Sequence, residues 1–231
     1  MSISPSPLKR ARAASTPADI IETYTKAMAT SRPAMAPYRH WQLKNCLPDD
    51  TLDDLVAMPF APPDLGGVSG KRELHNDTRS YFDKANQARH PAMAAVADAF
   101  QSRTLTRRIE NFFGATLKGS YLRIEYALDA DGFWLAPHSD LGVKLFTMLL
   151  YISKDRRHRT LGTDIYDAEK NVVGRSDFEP NAAFCFVPSD NPFHGFEKRP
   201  IAGVRKSIIV NYVTDEWRAR EQLSFPEAPL E

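Results

Sequence analysis

The sequence predicts an α+β protein in which an antiparallel β-barrel or jelly roll packs against an N-terminal layer of helices. In the first half of the chain, apolar residues recur at helical spacing. In the second half, short runs rich in Ile, Val, Tyr and Phe are separated by turn residues, as expected for strands. Helices followed by a block of strands are typical of layered α+β folds. The length of 231 residues suits one structural domain.

Four segments of the first half are predicted to be helices. They are "TPADIIETYTKAMA", "LPDDTLDDLVAM", "HPAMAAVADAFQS" and "TLTRRIENFFGATL". Thr16 or Asp19 can cap the first of them, and Gly114 can end the last. Residues 60–80 are rich in Pro, Gly and charge, so we expect a loop on the surface there.

Five segments of the second half are predicted to be strands. They are "GSYLRIEYAL", "VKLFTMLLYIS", "GTDIYDA", "AAFCFVPS" and "RKSIIVNYVT". Because "KLFTMLLYI" is apolar on both faces, its strand should be covered on both sides. The expected organisation is a disordered tail (1–18), a helical part that packs on the barrel (19–115), the β core (116–215) and a C-terminal tail (216–231).

The composition argues against several classes of protein. A net charge of +1 gives no reason to expect nucleic-acid or membrane binding. No run approaches the roughly 18 apolar residues that span a bilayer, and the N-terminus has no apolar core of a secretory signal. Two cysteines, Cys46 and Cys185, are too few for a disulfide framework or a thiolate zinc site. A reducing cytoplasm is therefore the expected location.

A His-x-Asp pair, His138 and Asp140, precedes the most apolar strand. In an extended backbone, residues i and i+2 point to the same face, so both side chains can aim at one point. The same spacing occurs in "HND", at His75 and Asp77, but in a polar stretch where a turn is the simpler interpretation. The pair alone is therefore a weak signal.

Two residues further along the chain strengthen the signal. His194 follows the strand "AAFCFV", and Arg205 opens the strand "RKSIIVNYV". Two histidines and one carboxylate on one face of a metal are the ligands of non-haem Fe(II) oxygenases. An arginine on a strand that faces such a metal needs an anionic partner, and a dicarboxylate would supply one.

With these residues the sequence resembles the Fe(II)/2-oxoglutarate-dependent dioxygenases. The family pattern is His-x-Asp, a distal His, and an Arg followed two residues later by Ser; Ser207 completes it here. The resemblance covers about residues 118–213, the family's double-stranded β-helix. Lys144, Thr147 and Tyr151 are similar to the prolyl-hydroxylase-like branch, as is Tyr126 upstream of the His-x-Asp pair. "LGTDIY" stands where the family usually has Gly-Gly-x-Leu, which leaves the detail of that hairpin open.

The resemblance implies Fe(II) as the metal, with 2-oxoglutarate and O2 as cosubstrates. His138, Asp140 and His194 would hold the iron. The cosubstrate contacts that it implies are Arg205, Tyr151, Thr147, Tyr126 and Ser207. Family halogenases have a small residue in place of the aspartate, so the presence of this carboxylate favours hydroxylation of a substrate C–H bond.

The expected substrate is a small molecule or metabolite. Phe133 and Trp134 either line its entrance or pack in the core. "KDRRHRT", with Lys198 and Arg199, is either a basic rim for an anionic substrate or a solvated hairpin tip. Nucleic-acid demethylases of the superfamily carry a second Arg where Asn211 stands, which argues against repair of alkylated bases. The alternatives are a dioxygenase acting on a protein side chain, a cupin-like binding module without turnover, and a zinc hydrolase.

Overall fold

The computed structural model describes residues 14–62, 64, 70, 79–140, 142–188 and 192–231. It contains both helices and antiparallel sheets, which confirms the predicted α+β class. The helices are α1 (Pro17–Ala29), α2 (Asp49–Val56), α3 (Lys84–Arg89), α4 (Pro91–Gln101) and α5 (Arg103–Phe113). Short 3-10 turns lie at Arg156–His158 and Arg220–Gln222.

Helix ends follow the local signals in the sequence. Thr16 caps α1 in a capping box: its Oγ1 accepts a hydrogen bond from the Asp19 amide, and Asp19 accepts one from the Thr16 amide. Gly114 ends α5 in the left-handed conformation, with φ of 76°. The four predicted helices are therefore present. Helix α3 was not predicted, because none of its residues is buried and no apolar stripe marks it.

Eleven strands among the described residues form two antiparallel sheets. The strands are β1 (Pro33–Ala34), β2 (His40–Leu43), β3 (Ser80–Tyr81), β4 (Tyr121–Asp129), β5 (Leu135–His138), β6 (Lys144–Tyr151), β7 (Asp164–Tyr166), β8 (Val172–Arg175), β9 (Ala182–Phe186), β10 (His194–Phe196) and β11 (Arg205–Val213). The larger sheet has the order β1-β2-β9-β6-β11-β4-β3 and the smaller one β5-β10-β7-β8.

The larger sheet is covered on both faces, as predicted for "KLFTMLLYI". On one face Phe146 packs with Phe113 of α5, in a core shared with the helices. On the other face Tyr151 and Phe186 join Phe196 of the smaller sheet in a second hydrophobic cluster. Successive residues of a strand point to opposite faces, so each central strand contributes to both clusters. The two sheets therefore face each other across an interior that can hold a site.

The architecture differs from the sequence-based expectation in three respects. Residues 19–115 are not purely helical, because β1, β2 and β3 lie in this part and extend the larger sheet. The described strands do not join into one closed barrel. The C-terminal residues 216–231 pack on the domain, with Leu223 and Leu230 buried.

Several short strands, such as β10 with three residues, were not predicted. They lack the length over which the alternation of apolar and polar residues becomes visible in a sequence.

The structure also bears on the two cysteines, on membrane-spanning helices and on the second His-x-Asp pair. Cys46 and Cys185 are free thiols in the buried core. Burial raises the pKa of both thiols above the ordinary range. Within the described part of the chain, no helix is long and apolar enough to cross a membrane. The second His-x-Asp pair, His75 and Asp77, lies outside the described residues, as does most of the 60–80 loop.

Gly162 provides a test of this packing. A Cβ atom at this position would overlap the backbone carbonyl oxygen of Ser176, whereas a Cβ at Gly174 meets nothing within 4 Å. We expect Gly162→Ala to cost about 1–3 kcal/mol and to lower Tm by roughly 3–10 °C in thermal unfolding. Gly174→Ala, the matched control, should leave Tm nearly unchanged. Equal Tm values for the two variants would contradict the packing described.

Candidate active site

The three proposed metal ligands meet at one end of the paired strands β5 and β10. The register of this antiparallel pair places His194 directly opposite His138, and their ring centroids are 4.3 Å apart. Asp140 follows β5 by two residues, and each imidazole Nε2 lies 3.8 Å from an Asp140 carboxylate oxygen. The ligand atoms of all three lie within 4.8 Å of one another. One ion can therefore contact all three.

Both imidazoles are oriented for metal binding. The Nδ1 of His138 lies 2.9 Å from the Ala136 carbonyl oxygen, and the Nδ1 of His194 lies 3.0 Å from that of Pro192. A carbonyl can only accept, so each Nδ1 carries the proton and donates it. Each Nε2 is then left with a lone pair for a metal.

Asp140 is a buried carboxylate that is fixed by two donors. Lys144 Nζ donates to Oδ1 and Thr147 Oγ1 to Oδ2, each over 2.7 Å. Burial alone would raise the pKa of this carboxyl, but the nearby Lys144 ammonium and the two imidazoles outweigh burial and hold the pKa below its ordinary range. Asp140 is therefore ionised and ready to bind a cation.

His194 is kept neutral by its surroundings. Burial, together with the neighbouring His138, lowers the pKa of His194 to about 3. Two neutral imidazole nitrogens and one carboxylate are a donor set that suits Fe(II), and the arrangement leaves further coordination positions free. The residues present therefore fit the metal that the sequence resemblance implies.

A cavity of about 90 Å³ extends from the proposed metal ligands in two directions. One part, the Arg205 end, is lined by Leu149, Thr163, Phe196, Arg205 and Ile209. The other part, the Trp217 end, is lined by Arg123, Glu125, Lys144, Asn211 and Trp217. Trp217 and Lys144 also line an adjoining surface cavity beside His138, so the Trp217 end lies toward the entrance.

Arg205 is the most unusual residue of the cavity wall, because its long cationic side chain is only 2% exposed. Its Nε donates to the Leu161 carbonyl over 2.8 Å, and its Nη1 pairs with Asp129, which lies opposite Arg205 in the β4–β11 ladder. The rings of Tyr151, Phe178 and Phe196 surround the guanidinium, with centroids 4.9–5.6 Å away. In such a desolvated place an arginine binds carboxylates more strongly than in water.

Hydroxyl groups accompany this arginine. The Tyr151 hydroxyl lies 2.7 Å from Thr163 Oγ1 and 2.5 Å from Ser176 Oγ. Ser207 is fully buried two residues after Arg205, on the same face of β11, and its Oγ has no hydrogen-bond partner among the described residues. A buried hydroxyl without a partner is uncommon, and a bound carboxylate would satisfy it.

Three of the residues predicted for the site lie elsewhere. Tyr126 is on the opposite face of β4, where its hydroxyl donates to the Leu55 carbonyl over 2.6 Å. Phe133 is buried and packs against Phe196, with centroids 5.7 Å apart. Trp134 is 38% exposed and lines an outer surface depression. Strand alternation explains Tyr126, since its neighbour Glu125 is the residue that lines the cavity.

The predicted cluster of basic residues does not form a rim around the entrance. Arg157 pairs with Asp155, and His158 is buried, with Nε2 2.8 Å from the Ala202 carbonyl oxygen. Arg199 lies over the ring of Phe196 at 3.9 Å and pairs with Asp164. These residues support the hairpin and the smaller sheet.

A hydrogen-bonded chain behind the metal ligand was not predicted from the sequence. Thr147, predicted as a cosubstrate contact, instead donates to Asp140 and accepts from Asn211 Nδ2 over 3.0 Å. Asn211 accepts in turn from Arg123, which pairs with Glu125. The sequence did contain a signal, since "YLRIEYALD" places the charged residues Arg123, Glu125 and Asp129 on one face of a strand whose other face is apolar or aromatic.

Comparison with solved structures identifies the fold. A prolyl-4-hydroxylase from Pseudomonas putida is similar over 84% of this chain and 93% of that chain, with a TM-score of 0.55 and 15% identity. A prolyl 4-hydroxylase from Phytophthora capsici is similar over 92% and 70%, with a TM-score of 0.61 and 12% identity.

A third similar structure is a prolyl hydroxylase from Trichoplax adhaerens, in complex with a hypoxia inducible factor oxygen degradation domain peptide fragment. It matches over 87% of this chain and 91% of that chain, with a TM-score of 0.56 and 15% identity. No family model matches the chain, and no curated protein matches it in sequence. The chain thus has the fold of the prolyl hydroxylases. This likeness in fold agrees with the resemblance to the prolyl-hydroxylase-like branch that the sequence motifs indicate.

Thr147→Val tests the support of the metal ligand. The variant keeps the shape of the side chain but removes the donor to Asp140 Oδ2, so we expect metal affinity to fall roughly 10- to 100-fold. Calorimetric titration with Mn(II) measures this affinity. Thr214→Val is the matched control, since the Thr214 hydroxyl has no partner among the described residues. If both variants bind Mn(II) as the wild type does, Thr147 does not support the ligand.

The low pKa of His194 predicts a pH dependence of stability. An unfolded histidine titrates near pH 6.5, whereas the folded pKa is about 3. Between these values only the unfolded chain binds the proton, so the free energy of unfolding should decrease as pH falls, by up to about 1.4 kcal/mol per pH unit. Urea denaturation of the metal-free protein at about pH 7 and about pH 5 measures the change. His194→Asn should show a shallower dependence; an unchanged one would refute the assignment.

Proposed function

We propose that the protein is an Fe(II)- and 2-oxoglutarate-dependent dioxygenase that hydroxylates a C–H bond of a small-molecule substrate, with release of succinate and CO2. The observation that carries the proposal is the presence, in one cavity, of the three metal ligands and a buried arginine. A metal triad alone would also suit a hydrolase, and a buried arginine alone would also suit a simple anion-binding site. Together they suit a metal centre that uses O2 and a cosubstrate with two carboxylates. The triad would hold the metal, and the arginine would bind one carboxylate of the cosubstrate.

His138, Asp140 and His194 are the proposed iron ligands, and Arg205, Tyr151 and Ser207 the proposed cosubstrate contacts. When bound, the iron and 2-oxoglutarate supply the oxidising power for attack on the C–H bond. Arg205 would bind the far carboxylate of the cosubstrate, since it is the cation at that end of the cavity. Ser207 would donate to the same group.

The remaining residues hold this constellation in place. Thr147 and Lys144 fix the orientation of the Asp140 carboxylate, so Thr147 acts through the metal ligand. The rings around Arg205 exclude water and thereby strengthen its interaction with an anion. A neutral His194 and an ionised Asp140 need lose no proton before the metal binds.

The proposal also covers the type of β fold and the way in which the chain is divided into a core and supporting parts. The two facing sheets would be the halves of a double-stranded β-helix, with residues 116–215 as the catalytic core. Residues 19–115 would support this core from outside, with the termini completing one structural domain. Two buried free thiols agree with a cytoplasmic location.

A second candidate function is the oxidation of a protein side chain. The likeness in fold to prolyl hydroxylases, one of them solved with a peptide fragment, favours this candidate. A cupin-like binding module would not need both a metal triad and a buried arginine. A zinc hydrolase would leave Arg205 without a role.

The test of the proposal is an anaerobic titration of the protein with Fe(II) and 2-oxoglutarate. We expect the weak visible charge-transfer absorption of the chelate, saturating with 2-oxoglutarate. Arg205→Met should weaken binding of the cosubstrate roughly 10- to 150-fold, because a charge-assisted pair worth roughly 1.5–3 kcal/mol is lost. The absence of the absorption band, or equal saturation in Arg205→Met, would refute the assignment.

Two tyrosine variants sharpen this test. Tyr151→Phe removes a hydroxyl beside Arg205 and should weaken binding of 2-oxoglutarate several-fold. Tyr126→Phe should not change it, because the Tyr126 hydroxyl bonds to the Leu55 carbonyl behind the sheet. The opposite result would place Tyr126 in the cosubstrate site.

A further inference from the structure

The Trp217 end of the cavity has a surplus of hydrogen-bond donors. Among the described residues, the carboxylate and amide oxygens of its wall already receive donors. The two Glu125 oxygens accept from Arg79 and Arg123, and the two Asp140 oxygens accept from Lys144 and Thr147. The amide oxygen of Asn211 accepts from Arg123.

Donors, by contrast, remain available at this end. The indole Nε1 of Trp217 is buried and has no hydrogen-bond partner among the described residues. Lys144 carries three N–H donors, and its described hydrogen bond goes to Asp140. A ligand that satisfies this wall must therefore bring acceptors.

The net charge at the Trp217 end also favours an anionic ligand. The side chains of Arg79, Glu125 and Arg123 are 2–7% exposed and form a cation–anion–cation triad. With Lys144 and Asp140 included, three cations face two carboxylates, which leaves one positive charge among the described residues. The charges of the iron and 2-oxoglutarate cancel each other. An anionic group would neutralise the excess, and a neutral group would not.

Arg123 is the cation of the triad that lines the cavity, and its guanidinium is held in place by its neighbours. The Arg123 guanidinium lies between the rings of Tyr81 and Trp217, 4.9 Å from each centroid. Its Nε donates to Gln222 over 2.9 Å. A fixed cation with a neighbouring unpaired N–H loses little entropy when an anion binds.

We infer that the Trp217 end binds an anionic group, a carboxylate or a phosphate, of a small-molecule substrate. The Trp217 indole N–H and the Lys144 ammonium donate to this group, and the triad supplies the positive field behind them. That the ligand is the substrate rests on the proposed function. The inference separates this chain from the prolyl hydroxylases that share its fold, since a prolyl ring carries no charge.

The indole N–H resonances of the metal-free, ¹⁵N-labelled protein provide the test. The chain has three tryptophans, Trp41, Trp134 and Trp217, and Trp217→Phe identifies the third resonance by its loss. We expect acetate or inorganic phosphate to shift the Trp217 resonance saturably, and neutral acetamide to leave it in place. The tighter of the two anions identifies the group as a carboxylate or a phosphate.

Two variants locate the binding site. Arg205→Met should leave the shift intact, because the anion that causes it binds at the other end. Arg79→Gln should weaken anion binding roughly tenfold by removing one charge of the triad, with the rest of the spectrum reporting on folding. Loss of the shift in Arg205→Met would overturn the inference, as would no shift in the wild type or an equal shift with acetamide.

The failure of this inference can be told apart from failure of the proposed function. The resonance titration needs neither iron nor 2-oxoglutarate, whereas the chelate absorption needs no substrate-like anion. A chelate band without a Trp217 shift would overturn only the inference. A Trp217 shift without the band would overturn only the assignment as a dioxygenase.

Discussion

The antiparallel pairing of β5 with β10 is the constraint on which the site depends. It sets His194 directly opposite His138, although the two are far apart in the sequence. Gly195 permits this close pairing, because a Cβ there would lie 2.7 Å from the Leu135 carbonyl oxygen. Backbone hydrogen bonding of the smaller sheet thus positions the two proposed histidine ligands, and the side chains around Asp140 orient the proposed carboxylate ligand.

The alternation of side chains in the larger sheet provides the second half of the site. Strand β11 has Arg205, Ser207 and Asn211 on its inner face and apolar residues such as Ile208 and Val210 against the helices. The same strand therefore anchors the sheet to the helical layer and supplies the charged wall of the cavity. The helices are needed for this arrangement, since a two-faced strand without a cover on one side would expose that apolar face to water.

Those parts of the fold and of the site that follow a definite period or residue spacing could be predicted from the sequence. The face to which a strand residue points, and its partners on distant strands, could not. Helices with apolar stripes, and strands such as β6 and β11, are present as predicted. The family resemblance predicted that the three proposed metal ligands would meet. Tyr126 matched the family's motif, yet strand register turns it to the helical side and turns Glu125 to the cavity. A shift of one residue reverses the face of every side chain, and no local pattern fixes it when both faces are largely buried. The partners of Thr147 and Arg123 come from distant strands, so their roles become visible only once the sheet is assembled.

The pairing of Arg205 with Asp129 has a consequence for how strongly this part of the cavity could hold an anion. A guanidinium enclosed by aromatic rings would be costly without a counter-ion, and Asp129 supplies one from the neighbouring strand. An anion that bound beside this arginine would meet a cation already half-neutralised by Asp129, so less free energy would be gained on binding than at an unpaired arginine. The same pair allows the guanidinium to stay folded in its desolvated place whether or not an anion is bound.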